Sequence, residues 1–289
     1  MTWFLLSFLT AITVATHDAW MKKWFSHLST YEMFVYPLIY VLPLCLISLF
    51  FIAIPSLDYV FFISFIISLP LNAVPFFLYM KAIQVSPLSL TVPYLAFTPV
   101  FMIATGFVFL DEMPDRWGMF GIASVCLGSY VLNIDIKHRS LLAPFRAVFK
   151  ETGSWLMLLV AFVFSFSAII GKLAILHSSV MFFQMSFFTV LNSVVIIIFL
   201  IYGKISLKTF KQMPVKGACA GLLLYFHIML HGFAISMTKA VYMMSVKRLS
   251  ILFGVIYGGI VFKEENFLMR FLGALLMFAG AGVILLMAR

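Results

Sequence analysis

The chain has 289 residues, of which 64% are hydrophobic and 10% charged, with a formal net charge of +9. Soluble domains average roughly 45–50% apolar and about 25% charged residues, so this composition cannot supply a water-facing surface and excludes a soluble enzyme. The positive charge does not read as nucleic-acid binding either, because the basic residues are scattered through short segments between apolar runs instead of forming one polar face.

A spanning helix needs about 20 mostly apolar residues to cross a hydrocarbon core of roughly 30 Å. In chain order the apolar runs predict helices over 3–21, 33–54, 59–80, 88–110 and 117–134. A polar, basic linker over 135–153 follows, and further helices are expected over 155–172, 180–202, 214–235, 239–262 and 267–287. The first run has Lys22 and Lys23 behind it and no positive segment before it, the reverse of a cleaved signal peptide. Pro37, Pro43, Pro70, Pro75, Pro93 and Pro99 all fall within the second to fourth runs, so the first half should be kinked. The ninth run instead carries Gly254, Gly258 and Gly259 in a small-residue spacing that favours close helix contact. Cys45, Cys126 and Cys219 are widely separated within apolar runs and read as packing residues, with neither a disulfide framework nor a zinc site.

Sliding the second half by 152 positions superposes Ala82 on Ala234, Ile83 on Ile235, Phe101 on Phe253 and Gly106 on Gly258. The same offset brings Glu112 onto Glu264, Gly121 onto Gly273, Gly128 onto Gly280 and Val131 onto Val283. The chain therefore divides into a five-helix repeat at 1–134, the linker at 135–153 and a second five-helix repeat at 154–289. An odd number of spans per repeat inverts the second relative to the first. The expected fold is an all-α integral membrane protein of ten transmembrane helices in two inverted five-helix repeats. Lysines and arginines gather after the odd-numbered runs, which predicts both termini outside the cytosol.

The stretch Tyr79–Asn133 contains KAIQVSPLSL, then TPVFMIATGFVFLDE, then Gly121 nine residues beyond Glu112. It resembles the EamA-type members of the drug/metabolite transporter superfamily, and KRLSILFGVIYGGIVFKEE followed by Gly273 and LLMFAGAGVILL repeats the pattern. The resemblance implies ten helices around a central cavity, lined largely by the early helices of each half with the fourth and ninth, and export or uptake of small metabolites. Many relatives have a proline or small apolar residue in the ninth helix where this chain has Lys247, Arg248 and Ser250. An arginine often opens the second helix where this chain has Tyr36 and Pro37. Both departures fall where a substrate would be read.

Lys247 and Arg248 lie eight or nine residues inside the ninth expected helix, about 12 Å from its nearer end. Intramembrane cations are costly unless paired or hydrated, so they point to an anion-binding cavity, with snorkelling or a fixed carboxylate partner as the alternative. Ser250, Asn72, Tyr79 and Tyr94 are further candidate substrate contacts. His227 and His231 share a helix face at i, i+4; without a third ligand nearby they read as cavity or interhelical bonding groups and not as a metal site. His17 and Asp18 near the end of the first helix are candidates for proton coupling, against the plainer reading of an Asp18–Lys22 pair at i, i+4. Glu112 and Glu264 are expected to be structural, complementing helix N-termini, and Gly121 and Gly273 structural at helix contacts.

No phosphate-binding loop, dinucleotide fingerprint, nucleophile elbow or catalytic metal motif occurs, so the chain reads as neither an enzyme nor an ATP-driven pump, with no cofactor. The reading these features support is a secondary transporter moving a small organic metabolite, with an anionic group favoured, by alternating access. The alternatives are flipping of an anionic lipid or lipid-linked precursor, and a non-transporting membrane enzyme or assembly subunit. The expected partners are a small-molecule substrate and the lipid bilayer of a bacterial inner membrane, with no nucleic acid, and monomer against homodimer left open.

Overall fold

The computed structural model describes residues 1–86, 91–132, 151–262 and 267–288, and the regular elements among them are all helical. The first half holds α1 (Thr2–Phe25), α2 (Thr30–Phe50), α3 (Tyr59–Val85), a 3-10 helix (Val92–Phe97), α4 (Thr98–Leu110) and α5 (Arg116–Leu132). The second holds α6 (Thr152–Leu176), α7 (Val180–Ile201), the single turn α8 (Leu207–Phe210), α9 (Pro214–Ser236), α10 (Ala240–Lys247), α11 (Ser250–Phe262) and α12 (Phe267–Met287).

Local chemistry sets the boundaries. Ser29 starts α2 through a capping box, its hydroxyl accepting from the Glu32 N–H at 3.2 Å while the Glu32 carboxylate accepts from the Ser29 N–H at 3.3 Å. Asp58 caps α3 through the Phe61 N–H at 2.9 Å, and Ser179 caps α7 through the Phe182 N–H at 3.3 Å. At the end of α4, Asp111 takes a left-handed conformation with φ 52°, and the Glu112 N–H turns back to the Gly106 carbonyl at 3.1 Å.

The expectation of ten transmembrane helices is not met. Among the described residues, seven helical segments are long and apolar enough to cross a membrane: α1, α2, α3, the Val92–Leu110 unit, α6, α7 and α9. Hydropathy registers apolar length but not helix continuity, and the fifth and ninth expected spans fail on length and continuity. α5 has 17 residues, about 26 Å at 1.5 Å per residue, short of a roughly 30 Å core. The ninth expected helix is broken at Arg248 and Leu249 into α10 of eight residues and α11 of 13. The tenth corresponds to α12, whose fully described part is the apolar stretch Leu272–Met287. The linker at 135–153 lies almost wholly, and Glu264 entirely, outside the described residues.

The break between α10 and α11 is a run of tightened bonds. The Arg248 N–H reaches both the Met244 and Ser245 carbonyls, Leu249 bonds Val246 at 3.0 Å, and Ile251 bonds Arg248 at 3.0 Å. The 3-10 helix preceding α4 occupies the matching place under the offset of 152. Pro93 and Pro99 mark it there, but as first-turn residues of the 3-10 helix and of α4 and not as interior kinks. Pro37, Pro43, Pro70 and Pro75 do lie inside α2 and α3.

Packing interleaves the two halves. α3 runs along α6, α1 along α9, α2 along α7 and α5 along α12, so 1–134 and the remainder share one core. The α5–α12 contact depends on glycine. A Cβ on Gly121 would stand 2.8 Å from the Gly280 carbonyl oxygen, and one on Gly128 would stand 2.6 Å from the Gly273 carbonyl oxygen. Gly254 is different, since a Cβ there would meet nothing within 4 Å, so the close contact expected at that residue is not made.

Candidate functional site

A cavity of about 140 Å³ lies at the centre, lined from α1, α2, α3, α6, α7, α9 and α10. Part of its lining is aromatic. Phe183 and Phe187, a helical turn apart on α7, stack with centroids 5.2 Å apart, and Phe76 of α3 meets Phe164 of α6 edge-on at 5.3 Å. Another part is polar and mostly basic, with His17 and Asp18 from α1, Tyr79 from α3, His227 and His231 from α9, Lys247 at the end of α10, and Arg248 at the break.

Lys247 Nζ sits 3.0 Å from His227 Nε2 and 3.3 Å from His231 Nδ1. The i, i+4 spacing of the two histidines aims both rings at the lysine. Arg248, 3% exposed, donates from Nη2 to the Thr98 hydroxyl at 2.8 Å, while its Nε has no partner. Among the described residues no carboxylate lies within 4 Å of either cation, and Asp18 is the only acidic residue lining the cavity.

The expected Asp18–Lys22 pair is not formed. Asp18 instead accepts the Tyr79 hydroxyl and approaches His17 Nδ1 at 3.7 Å. Lys22 donates to the carbonyls of Ile83 and Ser86, at 3.0 and 2.6 Å, at the end of α3, where free helix carbonyls attract a cation. His17 is buried with Nε2 unpartnered. Buried polar atoms without partners are rare, and two of them, on His17 and Arg248, belong to residues of this one cavity.

Asn72 also lines the cavity, its amide donating to the Ser68 carbonyl at 2.8 Å. Ser250 and Tyr94 do not. Ser250 is buried at the first position of α11 with its hydroxyl unpartnered, and Tyr94, half-buried in the 3-10 helix, bonds Ser154. Glu112 joins three elements: it pairs with Lys172 of α6 and accepts the Ala240 N–H at 2.8 Å, so the helix it caps is α10. Lys172 also donates to the Thr238 carbonyl at 2.6 Å.

Two residues of this region, Lys172 and Thr98, escape a reading of the sequence, while Gln184 is legible as an uncharged polar group within a span that could bond substrate or bridge helices. Lys172 falls at the expected end of its helix, but α6 continues to Leu176 and carries it into the cavity wall. Gln184, 3% exposed, lines the cavity from the first turns of α7. Thr98 holds Arg248, and its one signal is the offset of 152, which maps it onto Ser250.

Seven long apolar helices among the described residues define an all-α, multi-pass membrane protein. Residues 1–134 match the model of the EamA-like transporter family. No curated protein matches the chain. Among solved structures 28 chains match; one crystal structure, 8% identical, superposes with a TM-score of 0.72 over 99% of this chain and 96% of its own. At that identity the likeness concerns fold alone.

Proposed function

We propose that the protein is a secondary transporter that carries a small organic anion through the central cavity by alternating access. The observation that carries this reading is the pair of a half-buried Lys247 and a buried Arg248, both lining the cavity with no carboxylate within ion-pairing distance among the described residues. A buried cation normally keeps a counter-charge. A substrate carboxylate or phosphate would supply it, with the planar guanidinium of Arg248 offering a fork of donors. His227, His231, Tyr79 and Asn72 surround the charged end, and the phenylalanine face suits an apolar body. Ser250 and Tyr94 drop out of the binding set.

Access from either side would require opening one of two bonded belts at opposite ends of α3. At the N-terminal end, Asp58 meets His177 at 2.6 Å, and Glu112 ties α4, α6 and α10 together. At the other end, Lys22 bonds the last carbonyls of α3 and Gln84 bonds the Leu28 carbonyl at 2.6 Å.

The test is thermal stabilisation of the detergent-solubilised protein by benzoate, inorganic phosphate, betaine and choline, with Arg248→Gln beside the wild type. Stabilisation by the anions that disappears in the variant is expected. Equal stabilisation of both proteins by choline or betaine, with none by the anions, refutes the reading.

A further inference from the structure

The basic cluster facing the cavity holds fewer protons than its nitrogens could carry, and the geometry says where the spare places are. Lys247 Nζ has two imidazole nitrogens at hydrogen-bond distance, His227 Nε2 and His231 Nδ1. An ammonium has donors and no acceptor, and so does each nitrogen of an imidazolium. Two donors cannot share a bond, so a protonated lysine requires both facing ring nitrogens to be bare lone pairs. With the lysine protonated, the cluster carries that one charge and both rings are neutral.

We propose that Lys247, His227 and His231 form a proton-coupling centre: an anion entering the cavity takes over the N–H donors of Lys247, and a released imidazole lone pair takes up a proton, so that anion and proton bind and leave together. This inference rests on the reading of the cavity as an anion site. The balance is simple. One anion enters, one proton comes from water onto a histidine nitrogen, and the cavity's net charge is unchanged across the event. A low-dielectric cavity favours that neutral exchange over anion entry alone.

The other titratable groups around the cluster fit this assignment. From α1, Asp18 already accepts the Tyr79 hydroxyl of α3, and His17 has its Nδ1 turned to Asp18. From α6, Lys172 is neutralised by Glu112. Arg248, at the break beyond Lys247, stays charged at every accessible pH. The histidines of α9 are left as the groups whose bonding an anion on Lys247 would change most directly. Linkage then requires reciprocity: if anion binding draws in a proton, acidification strengthens anion binding by the same factor.

The experiment is isothermal titration calorimetry of benzoate into the purified full chain, in buffers of different ionisation enthalpy and at several pH values. Up to one proton taken up per benzoate is expected, with affinity falling by as much as tenfold per pH unit on the alkaline side. In His227→Gln/His231→Gln, whatever its affinity, the benzoate bound should take up no proton. Spectra of wild-type protein labelled with nitrogen-15 at histidine read the same event without substitution, and benzoate should convert one ring from neutral to protonated.

Benzoate binding with no proton uptake and unchanged histidine signals overturns the coupling and leaves the anion site standing. Absence of any benzoate binding overturns both. Uptake that disappears in Asp18→Asn but persists in the histidine variant moves the proton to Asp18 and also overturns the assignment.

Discussion

Glu112→Gln isolates the contact that fastens α4, α6 and α10 at one end of the cavity. The Glu112 carboxylate neutralises Lys172, whose side chain is 6% exposed, and accepts the Ala240 N–H at 2.8 Å. The amide of glutamine keeps an oxygen for Ala240 but removes the charge. That leaves a buried ammonium with the Thr238 carbonyl at 2.6 Å and no counter-ion within reach. Breaking one side of a buried pair costs about 3–5 kcal/mol. The lower end applies, because the glutamate side chain is 17% exposed and some water reaches the pair. For a chain of this size about 2 °C of melting temperature is lost per kcal/mol, so Glu112→Gln should lower the unfolding midpoint by about 6 °C in a fluorescence melt of the solubilised protein. Adding Lys172→Met removes the stranded charge and should restore most of the loss. A single variant within about 1 °C of the parent, or a double variant whose loss is the sum of the singles, would refute the assignment of a coupled buried pair.

Three smaller perturbations test other joints. Gly128→Ala puts a Cβ 2.6 Å from the Gly273 carbonyl oxygen and 2.7 Å from the Met277 N, and should cost about 1–3 kcal/mol, whereas Gly254→Ala meets nothing within 4 Å and should be neutral or stabilising by up to about 1 kcal/mol; thermal melts that rank the two the other way contradict the packing. Ser29→Ala removes half of the capping box of α2 and should cost about 1 kcal/mol by the same melt. The Asp58 carboxyl is held below its usual range first by the Phe61 N–H and then by His177. Its contribution is therefore complete above the ordinary carboxylate value of about 3.9 and is lost as pH falls through the lower folded value. Wild type should exceed Asp58→Asn in stability at neutral pH, with the gap closing below about pH 4; a gap that widens on acidification reverses the sign and defeats the argument.

How much of this was legible follows from what hydropathy can see. The apolar runs placed α1, α2, α3, α6, α7 and α9 within a few residues, because each is one continuous helix. The ninth run failed because a single apolar window covers two helices. The turn at Arg248 and Leu249 has neither proline nor glycine to announce it, while its counterpart before α4 has Pro93 and Pro99. Only the two halves read together expose the break, through the offset that pairs Thr98 with Ser250. The cations of the site were visible as chemistry in the wrong place: charges inside a run. Their partners were not visible, because His227 and His231 lie on α9 and Thr98 lies 150 positions away.

The break also explains how two cations persist there without a carboxylate. Lys247 ends α10 and Arg248 follows it, at the negative end of that helix's dipole, which is worth about 0.3–1 kcal/mol per cation and more when buried. Imidazole lone pairs and the Thr98 hydroxyl add hydrogen bonds, but none of these groups supplies a full negative charge. The cavity is thus basic, with no carboxylate pairing to Lys247 or Arg248 among the described residues. A carboxylate built into α10 should abolish the difference. Met244 is 3% exposed, lines the cavity, and precedes Lys247 by three residues and Arg248 by four. Met244→Glu therefore places an acid at the two helical spacings that favour a pair with each cation, and with the glutamate N-terminal to the base. The variant should fold with a melting temperature at or above the parent and lose the stabilisation by benzoate or phosphate. If those anions still raise its melting temperature by as much as in the parent, Lys247 and Arg248 are not where they bind.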